Sequence, residues 1–473
     1  MVTTAKHGSA TERGTPKERA ARGKALRTEV PRTSHGDWEP ARRRPKPIKL
    51  LEEQAAVREP SLVPIRYGRM AASPFAFYRG AAYVLASDLA RSPVTGIRVQ
   101  LCGDAHLANF GGFASPERNL VFDLNDFDET LPGPWEWDIK RLAASIEVAA
   151  RARDFGTRER TRVVREAVEA YRIAMRRFAG MKALETWYAS MDARELRAKL
   201  GSQLRPEQLK KFEKTVANGK TKDSARAYNK LAVTLNGNPR IAADPPLITP
   251  IEDLLPDAEA QQLDEAMRGL IAQYAQTLSD DRRRLLSQFR YVHAARKVVG
   301  VGSVGTRAWI CLMLGQDSDD PLFLQAKEAQ PSVLAPFLGA SEYSNQGQRV
   351  VEGQRLMQAT SDIFLGWIHV NGIDGQPRDF YVRQLCDWKS SAEIETLVPE
   401  GMAAYGRMCG WTLARAHARS GDAMAIGAYL GAGPAFDNAL TRFATTYADQ
   451  NERDHRSLVD AIEAGQVAAQ AGL

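Results

Sequence analysis

The sequence predicts an α+β fold for this chain of 473 residues. Apolar residues recur at three- and four-residue spacing through residues 159–181, 205–217 and 256–287, a pattern typical of helices. Between residues 298 and 389 the pattern changes to short runs of β-forming residues, and over 402–420 it is helical again. A helical part, a mixed part and a second helical part therefore follow one another along the chain.

Residues 1–50 are predicted to form a disordered basic tail. They hold 13 Lys or Arg against 5 Asp or Glu and contain few apolar residues, whereas the rest of the chain is nearly neutral. Such a tail can contact nucleic acid weakly through its charge. A nearly neutral body argues against a dedicated nucleic-acid-binding protein.

Three further parts are predicted after this tail. Residues 51–290 form a helical lobe with short strands over 97–101, 109–113 and 119–122 and a helix over 135–151. Residues 291–390 form a small α/β lobe with strands over 308–314, 322–326, 363–369 and 379–385 and one amphipathic helix over 343–360. Residues 391–473 add C-terminal helices that complete the large lobe.

Composition indicates an ordinary soluble globular protein, with 44% hydrophobic and 26% charged residues. The four cysteines are scattered without CxxC spacing, which argues for a reducing cytoplasm and against a disulfide framework or a structural zinc site. No apolar run approaches the roughly 18 residues that a membrane span needs. We therefore expect a cytoplasmic protein without membrane contact, whose oligomeric state the sequence leaves open.

The first motif follows the strand over 97–101 and contains Gly103, Asp104, His106 and Asn109. In phosphoryl-transfer sites an aspartate at such a position accepts a hydrogen bond from the substrate hydroxyl, and an asparagine five residues later reaches a metal ion. Asp104 is the predicted catalytic base, His106 supports its loop, and Asn109 is a predicted metal ligand. A surface turn bracketed by polar residues is the alternative interpretation.

The second motif is the acidic segment, residues 123–129, which follows a short apolar strand. Asp126 is predicted to bind Mg²⁺ with help from Asp123, and Asp128 stands where the metal-binding Asp-Phe-Gly turn of kinases has its glycine. Carboxylates this close repel one another unless they are solvated or a cation neutralises them. A solvated acidic turn is therefore the alternative.

The third motif is the glycine loop, residues 300–305, with glycines at 300, 302 and 305 and a serine at 303. Backbone amides without a nearby Cβ can approach phosphate closely, so Gly300, Gly302, Ser303 and Gly305 are predicted to contact nucleotide phosphates. The pattern alone is weak, and a flexible hairpin would explain it too. A dinucleotide-binding turn is disfavoured because a strand-like segment follows.

An apolar strand over 322–326 ends at Lys327, which resembles the way a kinase presents the lysine that pairs with nucleotide phosphates. A carboxylate on the next helix usually orients that lysine. Glu352 is the first candidate and Glu342 the second. A solvated lysine at a strand end is the alternative.

These motifs resemble a known group of proteins. The pattern of residues 103–109 is similar to the catalytic loop of aminoglycoside phosphotransferases and choline kinases, and residues 126–138 are similar to a second stretch of theirs, whose later aspartate (here Asp138) is structural. The longer strings 69–80 and 133–142 look like the uncharacterised bacterial family called domain of unknown function 2252.

The resemblance implies a two-lobed protein-kinase-like fold. In such proteins the glycine loop and the lysine precede the catalytic loop, whereas here they follow it, so a circular permutation is expected. Gln384, Leu385 and Cys386 would then lie near the adenine of ATP. His417 is expected to be a packed or capping histidine.

The implied activity is an ATP- and Mg²⁺-dependent phosphoryl transfer to a small-molecule acceptor. Nucleotidyl transfer to a protein would use similar ligands and is one alternative. A nucleotide-binding regulatory pseudokinase is another, although the presence of Asp104, Asn109, Asp126 and Lys327 together argues against it.

Overall fold

The computed structural model describes residues 14–192, 206–221, 223–235, 237–255, 260–298, 300–372, 374–385, 388 and 390–472. Helices dominate this mixed α+β architecture. In chain order they are α1 Pro16–Glu29, α2 Pro47–Ala55, α3 Val63–Ala71, α4 Pro74–Gly80, α5 Ala82–Leu89, α6 Trp135–Arg151, α7 Thr157–Ala179, α8 Ala183–Tyr188, α9 Pro206–Lys220, α10 Ser224–Leu231, α11 Ile251–Leu254, α12 Ala260–Ala275, α13 Asp280–Leu286, α14 Ala335–Leu338, α15 Gln346–Met357, α16 Pro399–Ser420, α17 Ala423–Leu430 and α18 Ala435–Glu463.

The strands form one large and three small antiparallel sheets. They are β1 Arg98–Leu101, β2 Phe110–Ala114, β3 Leu120–Leu124, β4 Leu131–Pro134, β5 Ala232–Leu235, β6 Asn238–Ile241, β7 Ile248–Pro250, β8 Arg290–Lys297, β9 Ala308–Leu314, β10 Pro321–Ala329, β11 Gly366–Asn371 and β12 Pro377–Gln384. Six of them form the large sheet in the order β11-β12-β10-β9-β8-β7, and the pairs β1-β4, β2-β3 and β5-β6 stand apart.

The strand β10 lies inside the large sheet, where Lys327 is opposite Tyr381 of β12 on one side and Ala308 of β9 on the other. Its neighbours are therefore defined on both sides by backbone pairing. The helix α15 packs against β11 and β12. A lysine near the end of β10 thus has a well-defined position relative to the rest of the sheet.

The main helical core surrounds α6, whose residues from Trp135 to Ala150 are all buried. The helices α7, α16 and α18 pack around it. The ring of Trp135 stacks on Tyr171 at 5.8 Å, and a Cβ at Gly410 would lie 2.2 Å from the carbonyl oxygen of Ala167. The two helices α7 and α16 therefore approach so closely that only a glycine fits at 410.

The beginning of the chain differs from the sequence-based prediction of a disordered tail. Residues 16–29 form α1, which starts with a capping box between Thr15 and Glu18 and packs on α17. Arg44 reaches both Asp88 and Asp454. The prediction was wrong for this stretch because its basic residues pair with carboxylates and carbonyls from distant parts of the chain, which composition does not reveal.

The predicted elements of the mixed part are observed with small changes in their bounds. The strand predicted over 308–314 and the helix predicted over 135–151 have those bounds in the structure. The helix predicted over 256–287 is two helices, α12 and α13, because the chain turns at residues 276–279, and residues 256–259 lie outside the described part. Among the helices of the described ranges, none is both long and apolar enough to cross a membrane.

Candidate functional site

A cleft of about 610 Å³ is lined by six stretches of the chain and by Arg383 and Ser391. Three stretches belong to the predicted catalytic loop (103–109), the acidic segment and the glycine loop. The other three lie within residues 53–58, 79–83 and 328–336, which the motif analysis did not assign to the site. The lining residues that bear on its chemistry are Arg58, Arg79, Asp104, His106, Asn109, Asp126, Asp128, Glu129, Gly300, Gly302, Ser303, Glu328 and Arg383.

Asp104 lies just beyond the end of β1, and two features hold its loop. Gly103 has a φ of +82°, and a Cβ there would be 2.3 Å from the carbonyl oxygen of Glu129, so glycine is required. The buried carboxylate of Asp138 accepts the backbone N–H groups of Cys102 and Gly103, at 2.7 and 3.0 Å. This is the structural role that the resemblance implies for Asp138.

The carboxylate of Asp104 is in a half-buried site, where its side chain is 22% exposed. Burial raises the pKa of Asp104 to about 6, although the guanidinium of Arg141, which donates to its Oδ1, opposes this shift. Burial, together with the charges of Arg141 and Arg79, lowers the pKa of His106 well below its usual value. The site therefore combines a weakly basic carboxylate with a neutral imidazole whose Nε2 is 3.7 Å from Oδ2 of Asp104.

Asn109 joins the catalytic loop to the acidic segment. Its Nδ2 donates to the carbonyl oxygens of Asp104 and Asp126, at 2.9 and 3.0 Å, and its Oδ1 accepts the N–H of Asp126 at 2.8 Å. The asparagine thus lines the cleft and at the same time fixes the backbone of both acidic residues. Its side-chain oxygen lies next to Asp126, the other predicted metal ligand.

Lys327 forms ion pairs with the acidic segment. Its Nζ lies 2.7 Å from Oδ2 of Asp128 and 3.5 Å from Oδ2 of Asp126. Burial alone would raise the pKa of Asp126, but the charges of Lys327 and Arg383 outweigh it and hold this pKa below its usual range. Burial alone would lower the pKa of Lys327, whereas Asp126 and Asp128 raise it. Both groups are therefore ionised at neutral pH.

Asp128 has more partners than its sequence position suggested. Besides Lys327, it accepts the hydroxyl of Tyr381 at 2.6 Å and the hydroxyl of Ser303 at 3.2 Å. These donors come from β12 and from the glycine loop. The repulsion expected within the acidic segment is thus relieved by one cation and two hydroxyl groups.

The helix α15 contributes an arginine, not the predicted glutamate, to this region. The carboxylate of Glu352 is 3.3 Å from Arg355 on the same helix, and Glu342 is exposed. Lys327 is instead paired with Asp126 and Asp128. The prediction was wrong because Glu352 points to the partly exposed side of α15, where it ion-pairs with its own helix.

The buried residue of α15 is Arg349, which is 2% exposed. Its guanidinium donates to the carbonyl oxygens of Asp128, Thr130 and Gln330, each at 2.7–2.8 Å. One side chain thereby holds two segments, residues 128–130 and the residue after β10, to α15. An arginine that serves backbone carbonyls gave no recognisable signal in the sequence.

Asp123 is outside the cleft. It is 1% exposed, forms an ion pair with Arg415 at 2.6 Å and accepts the N–H groups of Leu124 and Ala359. All its contacts are with the protein interior. The prediction that Asp123 assists in metal binding was therefore wrong, because its side chain is buried against Arg415 of α16 and does not line the cleft.

The glycine loop joins β8 to β9 and is held by the segment between α2 and α3. Gly300, Gly302 and Ser303 line the cleft, whereas Gly305 does not. Gly305 has a φ of +90°, and its carbonyl oxygen accepts the N–H of Glu59 at 2.8 Å. The loop is thus anchored at one end and reaches the acidic segment at Ser303.

A scan against protein-family models matched residues 58–461 to a family described as an uncharacterized protein conserved in bacteria (DUF2252). The chain belongs to this family. No curated protein and no solved structure matches it. The matched range includes the predicted catalytic loop, the acidic segment, the glycine loop and Lys327, and it contains every cleft-lining residue except Glu53, Gln54 and Val57.

Two of the three residues expected near adenine, Gln384 and Leu385, do not line the cleft in this DUF2252 protein. The N–H of Gln384 donates to Asp362, and that of Leu385 donates to the carbonyl oxygen of Phe323. Cys386 lies outside the described residues. Gln384 and Leu385 are held by the sheet and its flanking loop.

Sequence reasoning missed Tyr381, Arg79 and Arg383. Tyr381 had a usable signal, since a tyrosine on a strand next to a buried lysine can donate to the same carboxylate. Arg79 lies in one of the two strings that carry the family resemblance, with no chemical role attached to it. Arg383 donates to the carbonyl oxygen of Asn125 at 3.0 Å.

Proposed function

We propose that this protein is an ATP- and Mg²⁺-dependent phosphotransferase that acts on a small-molecule acceptor. One observation carries the proposal: the ammonium group of Lys327 is 2.7 Å from Asp128 and 3.5 Å from Asp126, and these two carboxylates line the same cleft as Asp104 and the glycine loop. Residues from the helical part and from the mixed part of the chain thus supply the charges that a nucleotide triphosphate and its metal ion require.

The order of elements supports a kinase-like fold in circularly permuted order. The glycine loop joins β8 to β9, Lys327 is on the third strand β10, and α15 follows before β11 and β12. Protein kinases likewise have a glycine-rich loop, a lysine on the third strand and then a helix. The catalytic loop and the acidic segment, which would come later in a kinase, here come earlier.

The residues in the cleft fit a magnesium ion. Mg²⁺ is usually bound by one or two carboxylates together with substrate phosphates and water. The side chain of Asp126 is 41% exposed and lines the cleft, and Asn109, whose Oδ1 accepts the backbone N–H of Asp126, lines it too. The described residues hold no group of three or more His, Cys, Asp or Glu side chains suited to a metal ion, so the nucleotide would supply the remaining ligands.

In the proposed reaction an acceptor hydroxyl attacks the γ-phosphorus of ATP. A new oxygen–phosphorus bond forms, the bond to the bridging oxygen of ADP breaks, and Asp104 takes the hydroxyl proton. With a pKa near 6, Asp104 is mostly ionised at pH 7.5 and able to accept this proton. Lys327 would stabilise the nucleotide phosphates, and the bound Mg²⁺ would offset their charge.

The first test is nucleotide binding by Lys327→Met. We expect ATP with Mg²⁺ to raise the melting temperature of the wild type, and the variant to bind ATP at least about tenfold more weakly because it lacks a phosphate partner. The matched control is Lys230→Met, an exposed lysine on α10, which should bind ATP like the wild type. A wild type that binds no nucleotide would contradict the proposal.

Labelled ATP identifies the transferred group. Incubation with a panel of hydroxyl-bearing acceptors should move label from γ-labelled ATP and leave α-labelled nucleotide as ADP. Transfer of α-label to a protein would instead indicate nucleotidyl transfer. Tight ATP binding without turnover on any acceptor would indicate a pseudokinase.

A further inference from the structure

Arg79 differs from the other arginines of the cleft in having no acceptor for its side chain among the residues that the structure describes. Arg58 donates to the carbonyl oxygen of Val304, and Arg383 donates to that of Asn125. Among the described residues, no hydrogen bond or ion pair is formed by the Arg79 side chain, and its Nε is buried without a partner. A buried guanidinium nitrogen without an acceptor is costly, so a ligand that supplies one would be favoured.

The position of Arg79 is set by the residues around it. Its neighbour Tyr78 has a carbonyl oxygen that accepts Nη2 of Arg141 at 3.0 Å, and the same arginine donates to Asp104. A Cβ at Gly302 would lie 3.2 Å from the carbonyl oxygen of Arg79. The end of α4 is therefore held between the catalytic loop and the glycine loop.

The two carboxylates near Arg79 leave its guanidinium available to bind a ligand. Asp104 and Glu395 are the carboxylates that act on it electrostatically. Asp104 is already bonded to Arg141, and no ion pair joins either carboxylate to Arg79 in the described part of the chain. A guanidinium presents several N–H groups in one plane, which suits the oxygens of a phosphate.

We propose that Arg79 donates hydrogen bonds to the terminal phosphate of the bound nucleotide, at the end of the cleft next to Asp104. This inference rests on the proposed function and adds a residue to it. Lys327 and the metal ligands hold the nucleotide from the side of the large sheet, and Arg79 holds its γ-phosphate from the side of the helices. An anionic group on the acceptor is the other source of such oxygens.

The test compares nucleotides that differ only in the terminal phosphate. Binding of ADP and of a non-hydrolysable ATP analogue, each with Mg²⁺, is measured by calorimetry in the absence of acceptor. In Arg79→Gln we expect the analogue to bind about tenfold or more weakly while ADP binds within about twofold of the wild type. In Lys327→Met both ligands should weaken.

Two further variants keep the test decisive. Arg91→Gln removes an exposed arginine outside the cleft and should change neither affinity. Arg79→Lys keeps the positive charge but loses the planar guanidinium, which can donate two parallel hydrogen bonds. Its preference for the ATP analogue over ADP should therefore be weaker than that of the wild type and stronger than that of Arg79→Gln. Arg79→Lys also replaces Arg79→Gln if the latter does not fold.

The outcomes separate this inference from the proposed function. If the analogue binds equally well to wild type and Arg79→Gln, Arg79 does not contact the γ-phosphate and the inference is overturned, while ATP binding stands. If the wild type binds neither nucleotide, the proposed function itself fails. Selective loss of the analogue supports both.

Discussion

A single residue, Asp128, shows how local sequence can mislead about a site. Four carboxylates within residues 123–129 predict repulsion or metal binding. In the structure the four have different surroundings: Asp123 pairs with Arg415, Asp128 with Lys327, and Glu129 accepts the N–H of Val333. Asp126, whose side chain is 41% exposed against 25% for Asp128, lines the cleft as well.

This division of roles predicts different phenotypes for two similar substitutions. Asp123→Asn leaves the guanidinium of Arg415 buried without its counter-charge, so we expect a loss of about 3–5 kcal/mol in the free energy of unfolding. Asp126→Asn changes a partly exposed carboxylate and should lower that free energy by no more than about 1 kcal/mol. Urea denaturation measures both.

The second readout is the effect of Mg²⁺ on ATP binding. Asp126→Asn should lose the part of the ATP affinity that depends on Mg²⁺, whereas Asp123→Asn, at temperatures where it is folded, should keep it. The same Mg²⁺ dependence in Asp126→Asn and wild type would show that the ion is held elsewhere.

At the scale of elements, the sequence predicts the bounds of the helix α6 but does not predict how deeply the helix is buried. The periodic pattern predicts residues 135–151, but every residue through Ala150 is buried, including Glu136 and Lys140. Oε1 of Glu136 accepts both the N–H and the hydroxyl of Thr95, whereas its Oε2 is buried without a partner among the described atoms.

Burial raises the pKa of Glu136 to about 7, which predicts a pH-dependent contribution to stability. Between about pH 4.5 and 7 the folded chain keeps a proton that the unfolded chain has released, so this contribution falls as pH rises. Glu136→Gln keeps the acceptor for Thr95 and removes the charge. We expect it to be more stable than wild type at pH 8 by about 1–3 kcal/mol.

Urea denaturation at pH 5 and pH 8 tests this expectation, with the difference between variant and wild type as the readout. The difference should grow with pH. A constant difference would mean that Glu136 is ionised in the folded protein at both pH values. Glu129, whose pKa burial also raises to about 7, is present in both proteins and cancels in the comparison.

At the scale of the whole molecule, the first fifty residues contact the C-terminal part of the chain from Asp422 onward. Trp38 contacts the ring of Tyr447 at 4.9 Å, Arg19 pairs with Asp422, and α1 packs on α17. Several arginines of this segment, among them Arg19, Arg27 and Arg44, therefore serve contacts within the fold. Removal of this segment should expose the core face of the C-terminal helices.

A glycine on α1 offers a precise test of this connection. A Cβ at Gly23 would lie 2.1 Å from the carbonyl oxygen of Ala425, so Gly23→Val cannot fit without moving α1. We expect it to lower the free energy of unfolding by about 2–3 kcal/mol or to release α1 to proteolysis. Gly433→Ala, where a Cβ meets no atom within 4 Å, is the matched control and should be nearly neutral.

Limited proteolysis followed by mass spectrometry locates the released segment, and urea denaturation gives the change in free energy. Equal stability of Gly23→Val and Gly433→Ala would show that α1 does not need to pack on α17.

Much of the site was predictable because its residues follow strands. Asp104 and Asp126 lie just beyond the ends of β1 and β3 and line the cleft, and Lys327, near the end of β10, ion-pairs with Asp126 despite their distance in sequence. The residues that sequence reasoning misplaced, Asp123 and Glu352, depend on which way a side chain faces. That direction is decided by packing between distant elements, which local patterns do not specify.

The contacts of Arg349 have a mechanical consequence. One guanidinium joins α15 to the carbonyl oxygens of Asp128, Thr130 and Gln330. Any shift of that helix therefore pulls on the backbone that carries the carboxylate partner of Lys327, and it breaks three hydrogen bonds if that backbone does not follow. The helix α15 and the acidic segment are therefore expected to move as one rigid unit.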